Sequence, residues 1–141
     1  MFEQAIEMTN EKPIATDTGL RSGTILVVDD ELVVRSLAKM YLEGAGFTIV
    51  TAIDGHEALE VFKEQKNEIT AVLLDLTMPR MDGEECFREM KRIKSDIPVI
   101  LSSGYDEQEA TSRFAGKGLA GFLKKPYKVK KLLEKILDSL S

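Results

Sequence analysis

The sequence predicts an α/β fold, a doubly wound parallel sheet of five strands with helices on both faces. Two observations lead there. Short, β-branched, almost wholly apolar runs recur five times, and between them the apolar residues switch to helical spacing. Strict alternation of buried strand and helix implies parallel pairing, because parallel neighbours need a crossover connection.

Thr24 to Val28 (TILVV) is the first such strand, with Phe47–Thr51, Ala71–Leu74, Ile97–Ser102 and Leu119–Leu123 as the others, the last weakened by Gly121. The first helix carries Val34, Leu37, Ala38, Tyr41 and Leu42 on one stripe and ends at Gly44 and Gly46. Asp54 reads as the N-cap of a second helix that uses Ala58, Val61 and Phe62. A third opens after Gly83 with Cys86, Phe87 and Met90 inward, and a fourth helical stretch covers Glu107–Phe114. The last helix sets Val129, Leu132, Leu133, Ile136, Leu137 and Leu140 opposite Lys128, Lys130, Lys131, Glu134 and Lys135.

A length of 141 residues fits one domain, since a single core saturates near that size. Residues 1–22 are polar and interrupted by Pro13, which reads as a linker or flexible tail in which Phe2, Ala5 and Ile6 allow one helical turn. The folded domain is expected over 23–141. With 43% hydrophobic and 30% charged residues the chain has apolar side chain enough for a core, and disorder throughout is excluded.

A formal charge of −5 argues against a surface built to neutralise nucleic-acid phosphates. Cys86 is the single cysteine, so no internal disulfide forms, and a small core residue is its expected role. No apolar run approaches the roughly 20 residues that span a bilayer, and the N-terminus lacks the basic-then-apolar pattern of a secretory signal. A soluble chain without direct membrane contact is expected.

In a doubly wound sheet the site forms beyond the carboxyl ends of the strands where strand order reverses. The first strand runs into Asp29, Asp30 and Glu31, and the third into Asp75. If those strands are neighbours, three carboxylates converge, and their repulsion demands a cation or a proton. Mg²⁺ fits best, because it takes oxygen ligands and keeps several waters, so that carboxylates, a backbone carbonyl and a phosphoryl oxygen complete its shell. The plainer alternative is that Asp29 and Asp30 only cap the first helix. Against it, Ser103 ends the fourth strand and Lys125 with Pro126 ends the fifth, so one edge of the sheet presents acid, acid, hydroxyl and cation.

The strings ILVVDDE at Ile25 to Glu31, VLLDLTMPRMDG at Val72 to Gly83, PVILSSG at Pro98 to Gly104 and GFLKKP at Gly121 to Pro126 follow in that order. Together they resemble the motifs of two-component response-regulator receiver domains, over roughly Gly23 to Leu140. The resemblance implies a flavodoxin-like sheet of order 2-1-3-4-5. It makes Asp75 the phosphoacceptor, and gives Mg²⁺ the ligands Asp29, Asp30, Asp75 and the Thr77 backbone carbonyl. Ser103 becomes the switch hydroxyl and Lys125 the family's lysine, with Lys124 facing solvent, Phe122 as the rotating aromatic and a cis bond before Pro126. Spacing from Lys125 selects Ser103 over Ser102, although the motif alone leaves a one-residue ambiguity. Thr77 departs from the usual amide or charged residue two places after the acceptor, and Tyr105 lies two places after Ser103, so the aspartyl-phosphate lifetime does not carry over.

The implied function is a phosphoacceptor switch of a two-component phosphorelay. A phosphohistidine would donate to Asp75, and the altered surface of the fourth helical stretch, fifth strand and last helix would meet a partner. Its partners would be a sensor histidine kinase or histidine phosphotransfer protein and a downstream phosphotransfer or effector protein, in the cytoplasm, free or tethered to a membrane-bound kinase outside this chain. No conventional enzyme is implied, only assistance to its own phosphorylation and dephosphorylation. PVILSSGYDE and GLAGFLKKPY are similar to receivers at the C-terminal end of hybrid sensor histidine kinases, for which residues 1–22 would be the tether.

Two other classes fit less well. A Mg²⁺-dependent phosphohydrolase also forms an aspartyl phosphoenzyme, but usually has a second Asp where Thr77 stands, and this chain has no room for a cap domain. A phosphorylation-independent interaction module would predict loss of the acidic pair, Asp75 or Lys125, and all are present. His56, in Asp-Gly-His-Glu, reads as an exposed helix-start residue, so the phosphoryl source lies elsewhere. The lysines from Lys124 to Lys135 read as a solvated helix face, not a nucleic-acid site.

Overall fold

The computed structural model describes residues 23–76, 83–104, 108, 112, 114 and 117–140. In chain order these form β1 (Thr24–Val28), α1 (Leu32–Gly44), β2 (Thr48–Ala52), α2 (Gly55–Gln65), β3 (Ile69–Asp75), α3 (Gly83–Ile93), β4 (Val99–Ser103), β5 (Gly121–Lys124) and α4 (Val129–Leu140). The helical stretch expected over 107–114 falls outside the described residues except at Gln108, Ser112 and Phe114, and residues 1–22 fall outside them altogether.

All strand pairs are parallel, in the order β2-β1-β3-β4-β5. Successive side chains leave a strand on opposite faces, so each apolar run feeds two cores. Leu26, Val28, Val72, Leu74, Val99 and Leu101 meet Phe62 of α2 and Phe87 and Met90 of α3. Ile25, Val27, Ala71, Leu73 and Ile100 meet Ala38 and Leu42 of α1 and Leu132 and Ile136 of α4. Phe114 closes the first core edge-to-face against Phe87, with ring centroids 5.1 Å apart.

Local chemistry explains several boundaries. Asp54 caps α2 by accepting from the Glu57 amide at 2.8 Å, while the Glu57 carboxylate accepts from the Ile53 amide at 2.7 Å, a reciprocal capping box. β4 begins at Val99, two residues later than its composition suggests, because Ile97 is held in a turn to Lys94 and Pro98 has no N–H to give a ladder. β1 lies where the sequence places it, and β2, β3 and β5 shift by one or two residues at their ends.

Two expectations change. β2 is an edge strand with Thr48 exposed, so it is not buried on both faces as its texture suggested. The α1 stripe is only half used. Ala38 and Leu42 are buried, but Leu37 and Tyr41 keep 44% and 40% of their surface exposed, and Leu32, Val33 and Met40 beside them are also exposed. The stripe is wider than the line along which α1 touches the sheet.

Gly83 joins the site to the fold. Its amide donates to the Leu76 carbonyl at 2.9 Å. A Cβ there would lie 2.6 Å from Leu76 Cα and 2.7 Å from the Asp75 carbonyl oxygen, both backbone atoms that cannot swing aside. Gly83→Ala is therefore expected to cost about 1–3 kcal/mol as an overpacked contact, measured by urea denaturation, and to shift the amide resonances of Asp75 and Leu76.

Candidate functional site

β1 and β3 are neighbours, with Val28 opposite Leu74, so the next residues, Asp29 and Asp75, emerge side by side from the sheet. Chain order reverses between these two strands, as a site of this fold requires. Ligand oxygens of Asp29, Asp30 and Asp75 all lie within 4.8 Å of one another, with Asp29 and Asp75 buried and Asp30 exposed. The expected convergence is present.

Asp29 is fixed by its backbone and its neighbours. Its amide donates to the Ala52 carbonyl at 3.1 Å, its carbonyl accepts from the Arg35 guanidinium at 2.8 Å, and its Oδ1 accepts from the Glu31 amide at 2.9 Å. Glu31 is the N-cap of α1 and makes no side-chain capping hydrogen bond, so neither Asp29 nor Asp30 occupies the cap position. The helix-cap alternative therefore fails.

Lys125 reaches this cluster from the end of β5. Its Nζ lies 2.7 Å from Asp29 Oδ2, 3.3 Å from Glu31 Oε1 and 3.5 Å from Asp75 Oδ2. Burial works against the ammonium charge, but the Asp29 hydrogen bond and the negative charge of Asp75 outweigh it and hold the pKa well above the ordinary lysine range. The Lys125 amide donates to the Ser103 carbonyl at 2.7 Å, and the bond to Pro126 is cis. Lys124, by contrast, is exposed and donates to the Gly104 carbonyl at 3.3 Å.

Ser102 and Ser103 are both buried. Register places Ser102 opposite Asp75, and Ser103 one step further at the end of β4. Phe122 pairs with Leu101 and is buried in the core against α2 and α3. Thr77 and Tyr105 lie outside the described residues. His56 is exposed at the start of α2, and the Cys86 thiol is buried, 3.8 Å from the Gly55 carbonyl, as a core residue.

Glu31, which the sequence already places beside Asp29 and Asp30, completes the surroundings with Arg35 and Tyr127, which sequence reasoning did not single out. Arg35 follows Glu31 by one helical turn, which would have aimed both at the strand end, but nothing in the sequence distinguishes Tyr127 from a core aromatic. Tyr127 lines a cavity of about 700 Å³ between α1 and α4, with Val34, Leu37 and Leu132, and this cavity also touches Glu31 and Lys125.

The donor set is wholly oxygen, held at a strand-end crevice with more negative than positive charge. That is the chemistry of a hard divalent cation, so the residues fit Mg²⁺.

Residues 25–137 match the response regulator receiver domain family. The chain belongs to that family. This receiver is 36% identical over 131 residues to the sensor kinase CckA of Brucella abortus, a match covering 92% of the receiver and 14% of CckA. It is 31% identical over 117 residues to the response regulator SaeR of Staphylococcus aureus, covering 83% of the receiver and 50% of SaeR. The chain thus spans half or less of these relatives. A receiver domain from Clostridium thermocellum superposes with a TM-score of 0.79 at 30% identity, covering 84% of this chain and 94% of that one. CheY in the CheX–CheY–BeF₃–Mg²⁺ complex from Borrelia burgdorferi gives 0.80 at 29%, covering 84% and 90%. No helix among the described residues is long and apolar enough to cross a membrane.

Lys125→Met would leave the carboxylates without this ammonium. The metal-free receiver is expected to lose about 2 kcal/mol, below the range for deeply buried pairs because Lys125 keeps some solvent contact, and to recover part of it in excess Mg²⁺. Folding raises the Lys125 pKa, so its contribution is complete below the lysine value of the unfolded chain and declines only as pH rises towards the elevated folded value. The stability gap between wild type and variant should therefore stay constant from about pH 7 to about pH 9, as urea denaturation across that range would show.

Proposed function

We propose that this receiver is a phosphoacceptor switch in which Asp75 takes a phosphoryl group from the phosphohistidine of a partner protein. The observation that carries this reading is the strand-end cluster of Asp29, Asp30 and Asp75, in which Lys125 pairs with the two buried members, Asp29 and Asp75. A carboxylate oxygen of Asp75 attacks phosphorus in line, its O–P bond forming as the N–P bond breaks. The leaving imidazole keeps the bonding electron pair and is protonated from water. Mg²⁺, held by Asp29, Asp30, Asp75 and the Thr77 carbonyl, would screen the phosphoryl charge and align it for attack.

The chain's own residues then read the product. Lys125 pairs with a phosphoryl oxygen, and the Ser103 hydroxyl donates to another from the end of β4. That pull draws the end of β4 towards Asp75, and Phe122 turns in response, reshaping the surface of β5 and α4. The same groups that position the donor assist the receiver's own dephosphorylation by positioning water.

A donor has to bring its phosphohistidine to the mouth of this cluster. The exposed apolar side chains Leu32, Val33, Leu37 and Met40 of α1 support docking of a protein there, since contiguous apolar surface of this kind marks interaction sites. Similarity to CckA supports a place in a hybrid histidine kinase, with residues 1–22 as the tether to it, in a cytoplasmic phosphorelay that includes a histidine kinase or phosphotransfer protein. The beryllofluoride and Mg²⁺ named in the Borrelia CheY complex support those reagents as probes.

Adding both to this receiver is expected to move the NMR resonances of Asp75, Ser103 and Lys125, and a spectrum that does not respond would sink the switch. Asp75→Asn is expected to abolish hydroxylamine-sensitive labelling by a small phosphodonor; a variant that still labels would show a different acceptor. Ser103→Ala should blunt the change at β5 and α4 while Ser102→Ala preserves it, and the reverse pattern would move the switch hydroxyl to Ser102.

A further inference from the structure

Tyr127 has no part in the chemistry above. Its ring packs against the core between the sheet and α1 and α4, but its hydroxyl is buried and has no hydrogen-bond partner among the described residues. Such a group is a folding cost that phenylalanine would avoid with the same ring. Burial first, and the negative charge of Asp29 next, push the hydroxyl up to about 12 with Asp75 and Glu31 adding to them and Lys125 opposing, so it remains a proton donor throughout the physiological range. It is a donor in electrostatic reach of the acidic cluster with no acceptor among the described residues.

A carboxylate becomes available when the site is charged. Lys125 has three N–H donors, and they serve Asp29, Glu31 and Asp75. A phosphoryl oxygen must take one of them. Asp29 is held most closely, at 2.7 Å, and Asp75 is the acceptor itself. Glu31, at 3.3 Å with a side chain 61% exposed, is the partner most easily given up. Glu31, Lys125 and Tyr127 line the same cavity between α1 and α4.

Building on the phosphoacceptor reading, we propose that Tyr127 is a positioning residue whose hydroxyl donates to the Glu31 carboxylate once Lys125 has turned to the phosphoryl group. Glu31 holds the N-cap position of α1 and Tyr127 lies two residues before α4, so the new bond ties the two helix starts together across their groove only in the charged state. It stabilises that state by holding Glu31 away from Lys125, and it carries occupancy of Asp75 to the α1–α4 surface.

The test is a thermodynamic cycle on the full chain with Tyr127→Phe and Glu31→Ala, read by calorimetric titration of Mg²⁺ and beryllofluoride and by thermal unfolding. In the unliganded protein Tyr127→Phe is expected to leave the melting temperature unchanged or to raise it, because no bond is lost there. In the titration it should weaken beryllofluoride binding about tenfold, as loss of a hydrogen bond to a charged group would. In the Glu31→Ala background it should have no further effect. Wild-type affinity in Tyr127→Phe, an equal loss without Glu31, or a lower melting temperature in the unliganded variant would each overturn the proposal. Failure of the underlying reading would look different, since wild type itself would then not bind beryllofluoride.

Discussion

Carboxylates brought within 4.8 Å of one another at the end of a buried sheet repel, at an effective dielectric suited to such sites, by about 3 kcal/mol for each fully charged pair. The remainder of the receiver is arranged around that repulsion. Lys125 offsets it with one ammonium placed against Asp29, Glu31 and Asp75, and so the metal-free cluster can exist in the folded chain. The balance leaves excess negative charge facing outward, which is what makes the crevice receptive to a hard divalent cation. On the phosphoacceptor reading, a charge added at Asp75 would change how Lys125 is shared among its partners.

The sheet makes the arrangement possible. Parallel register aligns Asp29 with Asp75, and the Lys125 amide is tied to the Ser103 carbonyl, so residues far apart in the chain meet at one edge, where Arg35 of α1 adds a hold on the Asp29 carbonyl. The backbone contact of Gly83 with Leu76 anchors the start of α3 directly behind Asp75.

The two faces of the sheet border the site from different sides. Phe122 lies in the core against α2 and α3, whereas Tyr127 lies on the side of α1 and α4, and Lys125 stands between them in sequence. On the phosphoacceptor reading, one event at Asp75 would be conveyed to β5 and α4 through Phe122 and to the α1–α4 groove through Glu31 and Tyr127. The apolar surface that α1 leaves exposed then belongs to the same functional region as the acid cluster, since Glu31 stands at its head.

Composition and spacing alone determined the strands, the helix pattern and the acidic strand ends, because those depend on local rules. A continuous β-branched apolar run marks TILVV, helical spacing marks Leu132 and Ile136, and acids directly after apolar runs mark Asp29 and Asp75. Tertiary structure decided what depends on neighbours from distant parts of the chain. It placed β2 at an edge, it left half of the α1 stripe in solvent, and it buried the Tyr127 hydroxyl with no partner among the described residues. Burial of a side chain is set by what packs over it, and the distances from Lys125 to its three carboxylates are set by strand register across the whole sheet, so neither is written in any single stretch of residues.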